Sequence, residues 1–310
     1  MLLKQVLDIY EYLDSAQVNG EVIKKYMLSL GAQDVLVKTI CGDRGKTDFI
    51  RIKIQGLKGK SKGMEAPTLG ILGRLGGIGA RPERIGMVSD GDGALVALAV
   101  AAKLLDMQKK GDYLDGDIIV STHICPDAPT QPHKPVAFMG SPVDMARVNE
   151  EEVSGDLDAI LSIDTTKGNR VINHRGFAIS STVKEGYILK VSDDLLNIME
   201  ITTGKLPVVF PLSTQDITPY GNGLYHLNSI LQPSTATEVP VVGIAITTEV
   251  PVPGCATGAS NPFDLEQASR FTLEVAKAYG RGECKFYEEA EFEILKNLYG
   301  SMTHIQSQGK

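Results

Sequence analysis

A chain of 310 residues can bury a full core as one large domain or as a domain with a small satellite. Hydrophobic residues make up 43% and charged residues 22% of it, the balance of a globular chain, and a net charge of −7 without any basic stripe excludes a nucleic-acid or membrane-surface partner. The chain contains no uninterrupted apolar run long enough to span a bilayer, and Met1-Leu2-Leu3-Lys4-Gln5 lacks a signal-peptide core; four scattered cysteines without a CxxC pair suit a reducing cytoplasm.

Taken in order, residues 1–31 read as two amphipathic helices broken at Asn19-Gly20. Val35–Ile40 and Phe49–Ile54 alternate as a strand pair around a charged turn. Residues 56–64 form a Gly/Lys loop, and Thr68–Gly73 is a short strand of the buried kind that runs into a glycine-rich loop carrying Arg74 and Arg81. The segment from Ala94 to Met107 is apolar on every side, so it belongs inside the molecule, with Ser89 or Asp92 available to cap it. Residues 117–122 form the next strand. His123-Ile124-Cys125-Pro126-Asp127-Ala128-Pro129 and the prolines that follow make a stiff loop, because proline forbids helix and central strand alike.

In the second half, 158–164 is a strand ending in a carboxylate, 176–183 and 187–191 pair as a hairpin, and 192–203 is a helix. Strands follow at 207–212 and 240–246, then a helix from Asp264 to Tyr279. His226 is expected on a helix. The alternation predicts an α/β fold, a mostly parallel or mixed sheet with helices on both faces. It forms a single domain over 1–300, with helices and hairpin at 1–64, a core at 65–280 and a frayed tail at 301–310.

Ligands of such sheets bind outside the carboxyl ends of the strands. Those ends here carry Arg74, His123, Asp127, Asp164, Asp216 and Glu249, beside the loop holding Asp90 and Asp92. Asp90, Asp92, His123 and Asp164 supply the carboxylate and imidazole donors of a zinc or manganese site. His123, Asp127 and Arg74 are the candidate catalytic groups, in acid–base or carboxylate-binding roles. Three of them also have a plain structural reading: loop hydrogen bonds for His123 and Asp127, and an N-cap or an Asx turn with Thr166 for Asp164. Cys125 is either a nucleophile with His123 or His133 as its base, or an inert packed thiol. Gly73-Arg74-Leu75-Gly76-Gly77 lacks both the P-loop and the GxGxxG spacing, so it is not a nucleotide site.

From Pro67 to Tyr279 the order of parts resembles the co-catalytic zinc exopeptidases, the deblocking and glutamyl aminopeptidase superfamily with a phosphorylase/hydrolase-like fold. Thr68–Gly73 falls where that family's first ligand strand lies, Asp90–Leu105 where its bridging-aspartate loop and helix lie, and 158–164 where its third-ligand strand lies. The resemblance implies a divergent metal-dependent hydrolase of small amide or peptide-like substrates, assembled as a homo-oligomer. Arg74-Leu75-Gly76 stands in place of the family's His-x-Asp, Cys125-Pro126-Asp127 in place of its Glu-Glu pair, and no histidine lies near Pro253-Gly254-Cys255. Arg74 brings a fixed positive charge, so one metal is expected rather than two, with Arg74 on the rim of the cavity. The alternative is a metal-free or non-catalytic small-molecule binding protein of the same fold. The sequence as a whole is also similar to a bacterial family of unknown function.

Overall fold

The computed structural model describes residues 1–74, 86–132, 138–251 and 260–309. Helices α1 (Leu3–Leu13) and α2 (Gly20–Ser29) precede an antiparallel pair, β1 (Asp34–Gly42) and β2 (Gly45–Ile54). Asn19 starts α2 by accepting the Val22 N–H at 3.0 Å. Then come β3 (Leu69–Gly73), α3 (Asp92–Lys109) and β4 (Ile118–Ile124). A two-residue ladder joins β5 (Thr130–Gln131) to β6 (Phe138–Met139), followed by α4 (Met145–Glu152) and β7 (Ala159–Thr165). The second half holds β8 (Gly176–Ile179), β9 (Val183–Lys184), β10 (Tyr187–Ile188), α5 (Asp193–Thr203), β11 (Val241–Thr247), α6 (Pro262–Gly280) and α7 (Glu289–Tyr299).

Among the described residues the main sheet runs β1-β2-β4-β3-β7-β11-β9-β10, with β8 also paired to β11. The centre, β4-β3-β7-β11, is parallel and the flanks are antiparallel, so the sheet is mixed and the fold is α/β. Period-two alternation separates two cores. Leu69, Ile71, Val120, Leu161 and Ile163 face α3, α1 and α6, whereas Leu72, Ile119 and Ile160 face Phe210, Ile217, Ile230 and Leu231. α4 packs over Phe49 on the second side through Val148. The apolar girth of α3 is explained by its position, wedged between the sheet and α1 and α6. Among the described residues no helix is long and apolar enough to cross a membrane.

Several expectations differ. Residues 207–212 are not a strand: with prolines at 207 and 211 the segment touches the sheet only around Val209, Phe210 donating its N–H to Ile179 O at 3.0 Å. β8 pairs with β11 rather than with the 187–191 segment, and the hairpin is the short β9–β10 turn. His226 lies in a loop, its ring held against Thr218 and Tyr220. The N-cap of α3 is Gly91, which has no side chain to cap with, rather than Ser89 or Asp92. α4 and α7 were not apparent from periodicity. The tail expected to fray carries a 3-10 turn, Thr303–Gln306, and Gln306 Nε2 donates to Ser234 O and Thr237 O. The glycine-rich stretch 75–85, His133 and residues 252–259 with Cys255 lie outside the described residues.

Candidate active site

Strand register places three of the expected residues side by side. Gly73 pairs with Thr122 on one side and Ile163 on the other, and Arg74 continues the ladder by donating its N–H to Ile163 O at 2.8 Å. The next residues along the neighbouring strands are His123 and Asp164, so Arg74 stands between them. Two strand spacings separate His123 from Asp164, about 10 Å between Cα atoms. His123 belongs to β4 rather than to the loop, because β2 extends the ladder through the Phe49–His123 pair.

Arg74 is fully buried and not on a rim, which corrects the sequence expectation. Its Nη1 donates to Glu152 Oε2 at 2.5 Å and its Nη2 to Asn149 Oδ1 at 3.1 Å, both on α4, and Nη2 also meets Met145 Sδ. The other Glu152 oxygen, Oε1, lies 2.8 Å from His123 Nδ1. A buried guanidinium needs such a partner, since an unpaired charge in the interior is several kcal/mol uphill. Arg74 Nε has no hydrogen-bond partner among the described residues.

Asp127 does not join this group. After Ile124 the chain turns at Cys125-Pro126, and Asp127 is exposed on a separate cavity of about 560 Å³ shared with Asn19, Lys46 and Asp48. Cys125 is buried, its Sγ donating to Lys46 O at 3.4 Å, and burial pushes its thiol up to about 11; this is the packed thiol rather than the nucleophile. Asp216 holds its own loop, accepting the N–H groups of Leu227 and Asn228 at 2.7 and 3.0 Å.

The aspartates on the other flank of Arg74 are built differently. Asp164 is fully buried; its Oδ1 accepts the Thr165 N–H at 2.7 Å and its Oδ2 the Ser229 hydroxyl at 2.7 Å. Burial pushes its carboxyl up to about 6, against the hydrogen bonds of Ser229 and Thr165 and the charge of Arg74, with Glu152 adding to the rise. Asp92, the first residue of α3, accepts from the Ser260 hydroxyl and lies 3.4 Å from Lys167 Nζ; burial raises its carboxyl despite both.

Asp90 is the exception. It sits in a 3-10 turn (Ser89–Gly91) pinned beside β7 by the Thr165 hydroxyl, which donates to Ser89 O at 2.8 Å. It is 5% exposed. Burial first, then the charges of Asp164 and Asp92, hold its carboxyl well above the usual range, with only Lys167 opposing. The turn comes this close because Gly73 and Gly93 leave no side chain between α3 and the strands: a Cβ on Gly93 would lie 2.3 Å from Ile163 O.

The structure therefore brings Arg74, His123, Asp90, Asp92 and Asp164 to one edge and adds Glu152, Asn149, Ser229, Lys167 and Ser260. Of these additions Lys167 lies three residues past Asp164, the strand end that the sequence had marked. Glu152 and Ser229 carried no local signal.

Among the described residues no three His, Cys, Asp or Glu side chains converge as a metal-ligating group. His123 is directed at Glu152, with Arg74 between it and the aspartates, so the nitrogen-containing set expected for zinc does not assemble. What remains is oxygen alone, the buried carboxylates of Asp90 and Asp164. Such a donor set fits a hard cation that keeps several waters, as magnesium and manganese do.

The structure is similar to two crystal structures of the LapA aminopeptidase of Legionella pneumophila. The first has a TM-score of 0.49 and 12% identity, covering 91% of this chain and 70% of that one; the second has 0.48 and 12%, covering 91% and 72%. No curated protein matches the sequence. Residues 38–309 match the family described as "Protein of unknown function (DUF1177)", and the chain belongs to that family.

Proposed function

We propose that this chain is a hydrolase of small amide or peptide-like substrates that works with one divalent cation, manganese in preference to zinc, held by Asp90 and Asp164. The observation that carries this reading is the Asp90 carboxylate, buried and facing the charges of two further aspartates. Three carboxylates crowded at a helix mouth need added positive charge or protons to remain in the interior. When bound, a cation supplies Lewis acidity at a substrate carbonyl and acidifies water.

The protein's own groups divide the rest of the work. Arg74, held rigid by Glu152 and Asn149, provides a second, permanent positive charge beside Asp164 for a developing oxyanion. Its presence removes the need for a second metal. Asp92, with its carboxyl raised by burial, is the group suited to carry a proton from attacking water to a leaving amine.

A second reading is favoured by the same Arg74: a metal-free small-molecule binding site in which Asp90 is protonated. Thermal melting of chelator-treated protein with manganese chloride or zinc chloride separates the two, alongside amine release from a panel of amino-acid amides. The hydrolase reading expects a manganese-dependent rise in Tm that Asp90→Asn abolishes, together with turnover. No response to either metal and no amine release would leave the binding reading.

A further inference from the structure

A cavity of about 630 Å³ lies on the second side of the sheet, between α4, the Pro219–Gly221 segment and the chain end. It shares residues with the candidate site. Met145 and Asn149, which line it, are the two α4 side chains besides Glu152 that touch Arg74. Tyr220, also in its wall, feels the charges of Asp164 and Arg74. The cavity therefore ends where the buried site begins.

Its lining has a definite chemical character. Tyr220 and Met145 line it, together with Asp144 and Glu150, which carry carboxylates. Among the described residues no lysine or arginine lines it. Arg147 lies close by, pairing with Glu150 at 2.8 Å, but it is shared with Glu151 at 2.7 Å, so the local balance stays negative. An anionic group would meet the carboxylates of Asp144 and Glu150 here. A cation finds a π face, a polarizable sulfur and a net negative field.

We propose that this cavity is the side-chain subsite of the Asp90–Asp164 site and that it takes a positively charged group, an ammonium or guanidinium on a flexible stem. The assignment rests on the reading of that site given above. It narrows the substrate class to amides or peptides bearing a basic side chain at the position held beside Arg74.

The chain contains no tryptophan, so Ala146→Trp, at an exposed α4 position on the cavity wall, places a single fluorescent reporter there. The probes are L-argininamide, L-leucinamide and L-glutamic acid α-amide, which share an α-amine and differ in side-chain charge. Calorimetry on the unsubstituted chain with the same probes guards against blockage by the reporter. L-Argininamide is expected to saturate the signal about tenfold more tightly than L-leucinamide, as a desolvated cation–π contact plus a net charge allow. Glutamic acid α-amide should be the weakest. Glu150→Gln, on an exposed helix face, should weaken argininamide by a few-fold, and Tyr220→Leu should remove the discrimination while circular dichroism shows the fold retained. Equal affinities for the three probes, or a preference that survives both substitutions, would overturn the proposal. Asp90→Asn leaves the argininamide preference in place, so failure of the cation reading, seen as no response to manganese, is distinct from failure of the subsite.

Discussion

The Arg74 guanidinium and the Glu152 carboxylate meet at 2.5 Å with both side chains 1% exposed, a fully buried ion pair joining the end of β3 to α4. Removing one partner leaves the other charge uncompensated in the interior. Glu152→Ala is expected to cost about 3–5 kcal/mol, as one-sided loss of a buried pair does. The double substitution Arg74→Met with Glu152→Leu should recover most of that. Urea unfolding of the wild type and the two variants checks both expectations; a Glu152→Ala loss under about 1 kcal/mol would mean that water reaches the guanidinium.

Asp164 predicts an unusual pH dependence of stability. Its folded carboxyl is raised to about 6 from an ordinary value of 3.8, so the folded state binds the proton more tightly than the unfolded state. The native state is therefore favoured below about pH 4 and loses stability as pH rises through the folded value, by about 3 kcal/mol across the window. Asp90, also raised, acts in the same direction. Asp164→Asn should flatten this slope and raise the urea midpoint at pH 7.5. A stability that climbs steadily from pH 4 to pH 7 in the wild type, measured in chelator, would contradict the burial of these groups.

Manganese should act on the same slope with opposite sign. A cation held by Asp90 and Asp164 binds their ionised forms, so its stabilisation grows with pH. At a free concentration one hundred times its Kd it contributes about 2.7 kcal/mol. Melting curves at pH 5 and pH 7.5 with and without manganese test this, the larger shift being expected at pH 7.5.

The close approach of α3 to the strands gives a prediction about glycine. A Cβ on Gly93 would meet Ile163 O at 2.3 Å and Arg74 O at 2.9 Å, both backbone atoms. No rotamer change relieves that contact. Gly93→Ala should cost about 3 kcal/mol or more, at the upper end of overpacking penalties, and displace Asp90 and Asp92 with the helix mouth. Gly111→Ala, whose Cβ meets nothing within 4 Å, serves as the control, its φ of +82° confining the cost to backbone strain of about 1 kcal/mol.

Thiol reactivity offers a fifth check. Cys41 is exposed, whereas Cys125 and Cys284 are buried with thiols pushed up to about 11 and about 12. In a Cys255→Ser background, an aromatic disulfide reagent at pH 8 should label Cys41 promptly and the other two only on unfolding. Prompt labelling of Cys125 would restore it as a candidate nucleophile.

The pattern of residues by itself determined the central architecture. β-branched runs such as Ile118–Val120 and Ala159–Ile163, and the all-round apolar 94–107 segment, carry burial in their composition, because no arrangement that leaves them in water is stable. It also determined which carboxylates stand at strand ends, since Asp164 follows a run that is apolar but for Ser162. Elements whose form depends on neighbours were not legible: 207–212 has strand composition, yet its prolines leave it attached through little more than Val209. Likewise, strand ends share an edge but not necessarily a face. Only the tertiary register placed Arg74 between His123 and Asp164 and sent Asp127 to a different cavity. Glu152, 78 residues beyond Arg74, was beyond reach for the same reason. Buried charges choose partners by proximity in space, and that choice is made when the sheet and α4 come together, not by any spacing along the chain.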